Sequence, residues 1–354
     1  MTVTSIAPAT KSAHELYLHL RERLRDVVPD VELRYKAELA AQINALKVER
    51  NAIILGHNYM EPALFHSIAD VGGDSLELSR QAANTDKDII VFCGVRFMAE
   101  TAKILNPSRT VLLPSARGGC SLADGITAAD IRALRAQYPG VPVVTYINTS
   151  AEVKAESDII CTSGNAARVV ESLGTDTVIF LPDEYLASNV AKATGRHIIF
   201  PTRTLPHQAL PNLEHALIGW TARCEVHDKF TLEDVQNIRR QFPETVILAH
   251  PECRPEVVDA VDFTGSTAAM IGYVERTKAP RYLLLTECSM GDNIAASNPG
   301  KEMLRMCSVR CPHMNEITLE DTLEALRKTQ HVIDVPPDIQ ARARIALDRM
   351  LAIA

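Results

Sequence analysis

The sequence predicts an α/β protein built from three related three-layer αβα domains, each with a short parallel sheet. Two observations carry this prediction. From residue 51 onward, short runs rich in Val, Ile and Leu alternate with helical patterns, as in βαβ units. The same order of motifs then occurs three times, and each time one cysteine precedes a helix. We expect the three domains to pack as a ring with pseudo-threefold symmetry.

The repeat also divides the chain. We predict an N-terminal helical extension over residues 1–50, because residues 14–50 have the pattern of one or two amphipathic helices. Three α/β domains are predicted over residues 51–140, 141–243 and 244–330. A C-terminal helix within residues 331–354 is expected to pack on the body of the protein.

Eight continuous apolar runs predict the strands. Each run is short and ends in small or polar residues, which is typical of strands buried on both faces of a parallel sheet. Helical segments separate the runs, so parallel connections are expected. The runs are AIILGHNY, DIIVFCGV, TVLLPSA, VPVVTYIN, DTVIFLP, RHIIFPT, TVILAHPE and RYLLLTE.

Constant spacings support a true triplication. Each of three cysteines precedes a threonine by seven residues, and an aspartate follows that threonine by three. Thr-x-x-Asp is typical of a helix start, where threonine caps free amides and the acid faces the helix dipole. The sets are Cys120 with Thr127 and Asp130, Cys224 with Thr231 and Asp234, and Cys311 with Thr318 and Asp321. A serine-bearing turn follows a polar strand end at similar distances: 18 residues from His57 to Ser75, 17 from Tyr146 to Ser163 and 16 from His250 to Ser266.

Composition excludes several classes of protein. In the 354 residues, 46% are apolar and 23% charged, which excludes disordered, collagen-like and coiled-coil chains. A formal charge of −7 argues against a nucleic-acid partner. The N-terminus does not have the pattern of a signal peptide, and no apolar stretch is long enough to span a membrane. We therefore expect a cytoplasmic protein with reduced thiols.

Three equivalent cysteines predict a metal centre. If the domains form a closed ring, Cys120, Cys224 and Cys311 meet at its centre. Three thiolates leave one coordination position vacant, which suits a centre that binds substrate. Thiolates favour zinc, copper(I) or an iron–sulfur cluster. A cluster held by three cysteines leaves one iron open as a Lewis acid.

The other five cysteines lack this equivalence and are expected to be structural. They are Cys93, Cys161, Cys253, Cys288 and Cys307. Cys307 has two further interpretations, because it lies four residues before Cys311. It could form a redox-labile disulfide with Cys311, or it could compete for iron.

Polar side chains follow the first strand of each unit, where ligands of open α/β sheets bind. These groups are His57, Asn58 and Tyr59, then Tyr146 and Asn148, then His250 and Glu252. His227, three residues after Cys224, is a candidate for contact with substrate or with a metal ligand. The turns at 74–75, 162–165 and 265–267 open helices whose amides could hold anions, although capping alone would also explain them. No nucleotide-binding fingerprint is present.

Between about residues 50 and 328, these motifs resemble the quinolinate synthase (quinolinate synthetase A) family of iron–sulfur enzymes. The motifs are GHNY, GDSLELS, FCGVRFMAETAKIL, GGCSLAD, YINT, CTSGNA, LPDEYLASN, CEVH, HPEC, GST and CPHM. The resemblance implies three α/β domains around one 4Fe-4S cluster, which three cysteines hold with one iron site open. It also implies a reaction in de novo NAD biosynthesis. Iminoaspartate and dihydroxyacetone phosphate condense to quinolinate, with loss of phosphate and two waters.

The resemblance gives the candidate residues their roles. Cys120, Cys224 and Cys311 become the cluster ligands. His57, Tyr59, Tyr146, Asn148, His227, His250 and Glu252 are expected to contact substrate, and Ser75, Ser163, Ser266 and Thr267 to hold carboxylate and phosphate oxygens. Glu252 is the candidate general base, with Tyr59, His57 and His250 as further catalytic residues. An aspartate-oxidising enzyme is implied as the source of iminoaspartate.

Two departures and three alternatives accompany this interpretation. Some family members have a CxxCxxC run where this chain has Cys307-x3-Cys311, and residues 1–50 match no family motif. One alternative is another three-cysteine cluster enzyme, such as hydroxymethylbutenyl diphosphate reductase or a diphthamide-synthesis protein. The others are an iron–sulfur carrier and a zinc-stabilised α/β protein.

Overall fold

The structure is a computed structural model, and it describes residues 11–201, 213–306 and 308–353. All eight predicted apolar runs form strands. The strands are β1 (Ala52–His57), β2 (Val71–Gly73), β3 (Ile89–Cys93), β4 (Thr110–Leu112), β5 (Val143–Tyr146), β6 (Ile159–Cys161), β7 (Val178–Leu181), β8 (His197–Ile199), β9 (Ala216–Ile218), β10 (Thr245–Ala249), β11 (Phe263–Thr264), β12 (Arg281–Leu285) and β13 (Glu302–Leu304).

Helices separate most of these strands. They are α1 (Ala13–Leu24), α2 (Asp30–Glu49), α3 (Pro62–Ser67), α4 (Ser75–Asn84), α5 (Arg96–Leu105), α6 (Ser121–Asp124), α7 (Ala128–Gln137), α8 (Ala151–Ala155), α9 (Ala166–Ser172), α10 (Glu184–Ala193), α11 (Leu232–Gln241), α12 (Pro255–Ala260), α13 (Thr267–Arg276), α14 (Cys288–Ser297), α15 (Leu319–Lys328) and α16 (Pro337–Ile353). Two short 3-10 helices, His227–Lys229 and Met314–Glu316, precede α11 and α15.

The strands form three parallel sheets with the same internal order. The first sheet is ordered β2-β1-β3-β4, and the third is ordered β11-β10-β12-β13. The second sheet repeats this order as β6-β5-β7-β9 and adds β8 at its edge. All pairings within the sheets are parallel; for example, Ile53 pairs with Ile90 and Ile247 pairs with Leu283. The shared order confirms the predicted fold class of three related α/β units.

Five strands were not predicted from the sequence: β2, β6, β9, β11 and β13. Each is only two or three residues long, so it carries no apolar run that distinguishes a strand from a loop. The longer strands differ in this respect. Every residue of β3 and β7 is buried, as expected for strands covered on both faces.

The three predicted helix starts are confirmed. Thr127, Thr231 and Thr318 are the N-caps of α7, α11 and α15, and each side chain accepts the amide of the aspartate three residues later. Such a cap contributes about 1 kcal/mol to the stability of a helix. The three helices therefore begin at equivalent positions after the three cysteines, which fixes the length of each cysteine loop.

The terminal helices tie the units together. The pair α1 and α2 packs on α3 of the first unit and on α14 and α15 of the third. Helix α16 packs on α8 and β6 of the second unit and on α5 of the first. Its Arg344 donates to the Leu105 carbonyl at 3.0 Å, and its Arg349 donates to the Asp158 carbonyl at 2.8 Å. The exact domain boundaries stay a prediction.

Among residues 11–201, 213–306 and 308–353, none of the helices combines the length and the apolar character needed to cross a bilayer.

Candidate active site and metal centre

One cavity lies at the carboxyl ends of the internal strands β1, β5 and β10. It brings together residues that are far apart in the sequence. Of the predicted site residues, those that line it are His57, Tyr59, Ser75, Cys120, Tyr146, Asn148, Ser163, Cys224, His227, His250, Glu252, Thr267 and Cys311. Residues at matching positions of the three repeats therefore lie around the same cavity. Ser266 is the one predicted site residue that does not line the wall.

Ser266 lies behind the wall as the N-cap of α13. Its oxygen accepts the amide of Ala269 at 3.3 Å, and its hydroxyl donates to the Asp74 carboxylate. Asp74 lines the cavity and accepts the amides of Leu76 and Glu77 at the start of α4. Burial raises the pKa of the Asp74 carboxyl. Ser266 therefore joins the first and third turns, whereas Asp74, which the sequence analysis named only as part of a turn, faces the interior.

Hydrogen bonds between units position the serine-bearing turns of the second and third units. Asn58 of the first unit donates from Nδ2 to Oγ1 of Thr267 in the third, over 2.9 Å. His250 of the third unit lies with Nε2 3.1 Å from Oγ of Ser163 in the second. All four residues except Ser163 are buried. The strand end of one unit thus positions the helix start of another, which sequence spacing alone could not reveal.

Glu252 is the centre of the polar network. The Tyr146 hydroxyl donates to Oε1 of Glu252, and Nδ1 of His227 lies 2.7 Å from its Oε2. All three residues are buried, and Glu252 is only 2% exposed. Burial alone would raise the pKa of the Glu252 carboxyl, but the hydrogen bonds with His227 and Tyr146 oppose burial and the pKa lies below its ordinary value. The residue is therefore a buried carboxylate with specific donors, as a general base requires.

His57 and His250 are neutral at physiological pH. Burial lowers the pKa of both His57 and His250 to about 3. The His250 ring stacks on His227 with centroids 4.6 Å apart, and the His57 ring meets Tyr59 edge-on at 4.7 Å. Neutral rings at these positions can donate or accept hydrogen bonds without adding charge to the cavity.

Thr286 is a functional-site residue that the sequence did not reveal. It follows β12 and is 2% exposed. Its Oγ1 lies 2.9 Å from Nε2 of His227 and 2.5 Å from the Tyr59 hydroxyl oxygen. The sequence analysis found polar residues after the first strand of each unit, which are β1, β5 and β10. Thr286 follows β12 instead, so no repeated spacing indicates it.

The three equivalent cysteines line the same cavity. Cys120 is the N-cap of α6, and Cys224 and Cys311 each precede a 3-10 helix by three residues. These short helical turns were not predicted, because four or fewer residues show no helical periodicity. Each of these turns places two backbone N–H groups so that they donate hydrogen bonds to the cysteine sulfur. Cys120 accepts from the Leu122 and Ala123 amides. Cys224 accepts from Val226 and His227, and Cys311 from His313 and Met314.

This donor set fits a metal centre bound by thiolates. The three residues are half-buried as a whole, but burial of the sulfurs raises the pKa of the Cys120 thiol to about 12 and that of the Cys311 thiol to about 11. Burial also raises the pKa of the Cys224 thiol. A thiolate is therefore costly here unless a cation replaces its proton. Amides that donate to sulfur are the partners that a bound thiolate needs.

Contacts between the cysteine loops hold them at fixed relative positions. Ser121, beside Cys120, accepts the Glu225 amide on its hydroxyl at 3.2 Å. Glu225 in turn pairs with His313 at 3.1 Å. Arg117 and Glu316 link the first and third loops at 2.6 Å. Each loop therefore contacts both others, as a single centre shared by three loops would require.

A single-ion arrangement is also present. Among the described residues, Cys224, His227 and Glu252 form a group whose donor atoms all lie within 4.8 Å of one another. Nδ1 of His227 lies 3.2 Å from the Cys224 sulfur. The cavity therefore contains cysteine, histidine and carboxylate donors that could hold metal.

The remaining cysteines stand apart from the cavity. Cys93, Cys161, Cys253 and Cys288 are buried, and none of them lines it. This agrees with a structural role. Cys307 lies outside the described residues, so its predicted disulfide with Cys311 and its predicted competition for iron stay predictions.

The chain is similar to known proteins over most of its length. Residues 41–352 match the family model described as Quinolinate synthetase A protein. The chain is 53% identical over 334 residues to Quinolinate synthase 2 of Mesorhizobium japonicum, covering 94% of this chain and 97% of that protein. It is 51% identical over 342 residues to the quinolinate synthase of Agrobacterium fabrum, covering 97% and 92%. It is 52% identical over 308 residues to that of Xylella fastidiosa, covering 87% and 85%. The chain belongs to the quinolinate synthetase A family.

Proposed function

We infer that this chain is a quinolinate synthase. One iminoaspartate and one dihydroxyacetone phosphate give quinolinate, phosphate and two waters, with one new C–C bond and one new C–N bond closing the ring. The observation that carries this inference is the convergence of the strand ends of three units on one cavity that also contains the three equivalent cysteines. The family membership of the chain agrees with it.

Cys120, Cys224 and Cys311 would hold one 4Fe-4S cluster with one iron free of protein ligands. Three amide-supported thiols from three equivalent loops support this assignment. When bound, the cluster supplies a Lewis acid that polarises a substrate carboxylate or hydroxyl.

Glu252 is the general base of the proposed mechanism. Its carboxylate can take a proton from substrate carbon or nitrogen during condensation and ring closure. Tyr59 and His57 face the same space and move protons at the carbonyl and hydroxyl oxygens of the triose. His250 is the further acid–base candidate, and Tyr146, Asn148 and His227 are proposed to orient the substrate by hydrogen bonds. His57, Tyr146, His227, His250 and Glu252 are buried, which would limit the access of water to the reacting atoms.

Helix starts are proposed to hold the anionic groups of the substrates. Ser75, Ser163 and Thr267 line the cavity at the N-termini of α4, α9 and α13, where amides and the helix dipole favour anions. Ser266, which caps α13 from behind the wall, would act through its helix and through Asp74. This arrangement would let an acidic chain bind a dicarboxylate and a phosphate ester.

The proposal includes the surroundings of the enzyme. Iminoaspartate hydrolyses readily, so an aspartate-oxidising enzyme is proposed to supply it nearby. A cytoplasmic location is part of the same proposal, because reduced thiols are typical of that compartment.

An anaerobic assay tests the function. The full chain is purified without oxygen and incubated with oxaloacetate, ammonia and dihydroxyacetone phosphate, and quinolinate is measured by chromatography. We expect quinolinate to accumulate over many turnovers, and omission of either carbon substrate to prevent it. An iron-loaded chain that forms no quinolinate would support the carrier alternative or another cluster enzyme. A chain purified with zinc and no sulfide would support the zinc-stabilised alternative.

A further inference from the structure

We propose that Asn189 and Asn293 are positioning residues of this active site, and that each clamps a strand-end turn of a neighbouring unit. Asn189 holds the turn that carries Glu252. Asn293 holds the turn that carries Tyr59. The inference rests on the proposed function and adds two residues that do not themselves line the cavity.

Asn189 belongs to α10 of the second unit and reaches the third unit. Its Nδ2 donates to the carbonyls of Pro251 and Cys253, at 2.9 and 3.1 Å. These are the residues immediately before and after Glu252. Both hydrogens of one side-chain amide therefore fix the backbone segment from which the Glu252 carboxylate projects into the cavity.

Asn293 repeats this geometry at another boundary between units. It belongs to α14 of the third unit, is 6% exposed and reaches the first unit. Its Nδ2 donates to the carbonyls of Asn58 and Met60, at 3.1 and 2.9 Å. These residues lie immediately before and after Tyr59. The backbone on both sides of a proposed acid–base residue is thus held in the same way twice.

The two asparagines occupy equivalent places in the repeats. Asn189 lies six residues after Asp183, the N-cap of α10, and Asn293 lies six residues after Glu287, the N-cap of α14. These helices follow β7 and β12, which are the second internal strands of their units. Both asparagines therefore project from the same part of the same helix in two different units.

The turns that they hold are also equivalent. The Met60 amide donates to the His57 carbonyl and the Cys253 amide donates to the His250 carbonyl, each at 2.9 Å. In each turn the residue before the last donates its amide to Nδ1 of the same histidine, at 3.2 Å in one turn and 3.4 Å in the other. Each asparagine therefore meets a histidine-bearing turn of one conformation.

The strand end of the second unit has a different turn and a different partner. There the Thr149 amide donates to the Ile147 carbonyl at 2.8 Å, and the buried Lys154 donates to the Thr149 carbonyl. The matching position of α5 is Thr101, whose hydroxyl donates to the Phe97 carbonyl of its own helix at 2.8 Å. The asparagine thus accompanies the histidine-bearing turn, which indicates that it serves the turn and not the helix.

Helix packing alone does not explain these two amides. Oδ1 of Asn189 and Oδ1 of Asn293 are both buried, and neither has a hydrogen-bond partner among the described residues. A buried polar atom without a partner lowers stability, so packing would favour an apolar side chain at both positions. The two carbonyls facing each side chain can only accept, and this requirement for a donor explains the asparagine.

The first test is the kinetics of Asn189→Leu and Asn293→Leu in the cluster-loaded full chain. Leucine keeps the branch at Cγ but donates no hydrogen bond. We expect kcat of each variant to fall about 10-fold to 100-fold, the size of a small misplacement of catalytic groups. Iron and sulfide content should stay close to the parent values.

Asn106→Leu is the matched control. Asn106 is also buried, its Nδ2 also donates to two carbonyls, those of Ala82 and Ala102, and it does not line the cavity. The substitution removes the same kind of contact from a place that touches neither turn. Its kcat should therefore change by less than about threefold.

Double variants separate positioning from a general loss of stability. A positioning residue acts through the side chain that it positions. Asn189→Leu should therefore lower kcat by less than about threefold when Glu252 is already glutamine, but keep its full effect beside Tyr59→Phe. Asn293→Leu should show the reverse. A merely structural role would lower kcat by the same factor in both backgrounds.

Hydrogen exchange provides a readout that does not depend on activity. Mass spectrometry of the full chain follows the peptides that cover residues 57–60 and 250–253. We expect Asn189→Leu to speed exchange in 250–253 by at least about tenfold and to leave 57–60 unchanged, with the reverse for Asn293→Leu. If leucine prevents folding, serine variants, which keep one donor, should show the same pattern with smaller effects.

Three results would each overturn the proposal. These are leucine variants with kcat within about threefold of the parent, equal effects of each asparagine in both double-variant backgrounds, and exchange that rises equally in both turns. A failure of the proposed function would look different, because the parent chain would then form no quinolinate while hydrogen exchange would still report on the two turns.

Discussion

Cys224→Ala is expected to give a folded chain that retains no stable cluster and loses quinolinate formation by at least about 100-fold. Cys224 lies next to the polar network, because its sulfur is 3.2 Å from Nδ1 of His227, and it also accepts two backbone amides. Substitution of residues that only support metal ligands already costs 10-fold to 100-fold in affinity or activity, so loss of a ligand should cost more.

The measurement is iron and sulfide content per chain after anaerobic reconstitution, together with quinolinate formation. Cys161→Ala is the matched control, since Cys161 is fully buried at the end of β6 and does not line the cavity. The control should retain iron and activity close to the parent values. A Cys224→Ala chain with full iron content and quinolinate formation would contradict the assignment of three equivalent ligands.

Glu252→Gln is the second large effect we expect, with kcat lowered by about 100-fold to 10,000-fold, the usual contribution of a general base. Glutamine keeps the shape of the side chain and can still bond to His227 and Tyr146, so the cavity should remain assembled. What it loses is a carboxylate whose pKa lies below its ordinary value and which is therefore ionised at neutral pH. The loss should appear in kcat, whereas cluster content should be unchanged.

Glu256→Gln provides the matched control for this prediction. Glu256 lies four residues further on, in α12, and is exposed. The same chemical change there should leave kcat within about threefold of the parent, as is usual for surface substitutions. Steady-state rates of both variants at saturating substrate are the measurement. Equal rates for Glu252→Gln and the parent enzyme would show that the base is another group.

Sequence patterns that recur in the three repeats predicted most of the strands and helices and the positions of the three cysteines. Strands of four or more residues, the three Thr-capped helices and the meeting of three cysteines all follow from patterns that occur more than once. The edge strand β11, with two residues, carries no such pattern, and neither do the short helical turns after Cys224 and Cys311. These turns depend on contacts between loops of different units, for example that between Ser121 and Glu225.

Two residues of the site show why its remaining features could not be predicted from the sequence. Thr286 belongs to the network only because β12 ends beside His227, which is 59 residues away along the chain. Ser266 caps α13, and its hydroxyl bonds to Asp74 of the first unit, a contact between units that no sequence pattern indicates. A sequence pattern shows that a residue lies at a strand end or a helix start, but the packing between units decides which side chain reaches the cavity.

We propose that Cys120, Cys224 and Cys311 would together hold one 4Fe-4S cluster that leaves one iron free of protein ligands. Mössbauer spectroscopy of the ⁵⁷Fe-loaded full chain, with and without quinolinate, tests it most directly. We predict about four irons and four sulfides per chain, and a change in the signal of about one iron in four when quinolinate is added. Four irons that all remain unchanged by quinolinate at saturating concentration, or a chain that binds zinc in place of iron, would contradict the claim.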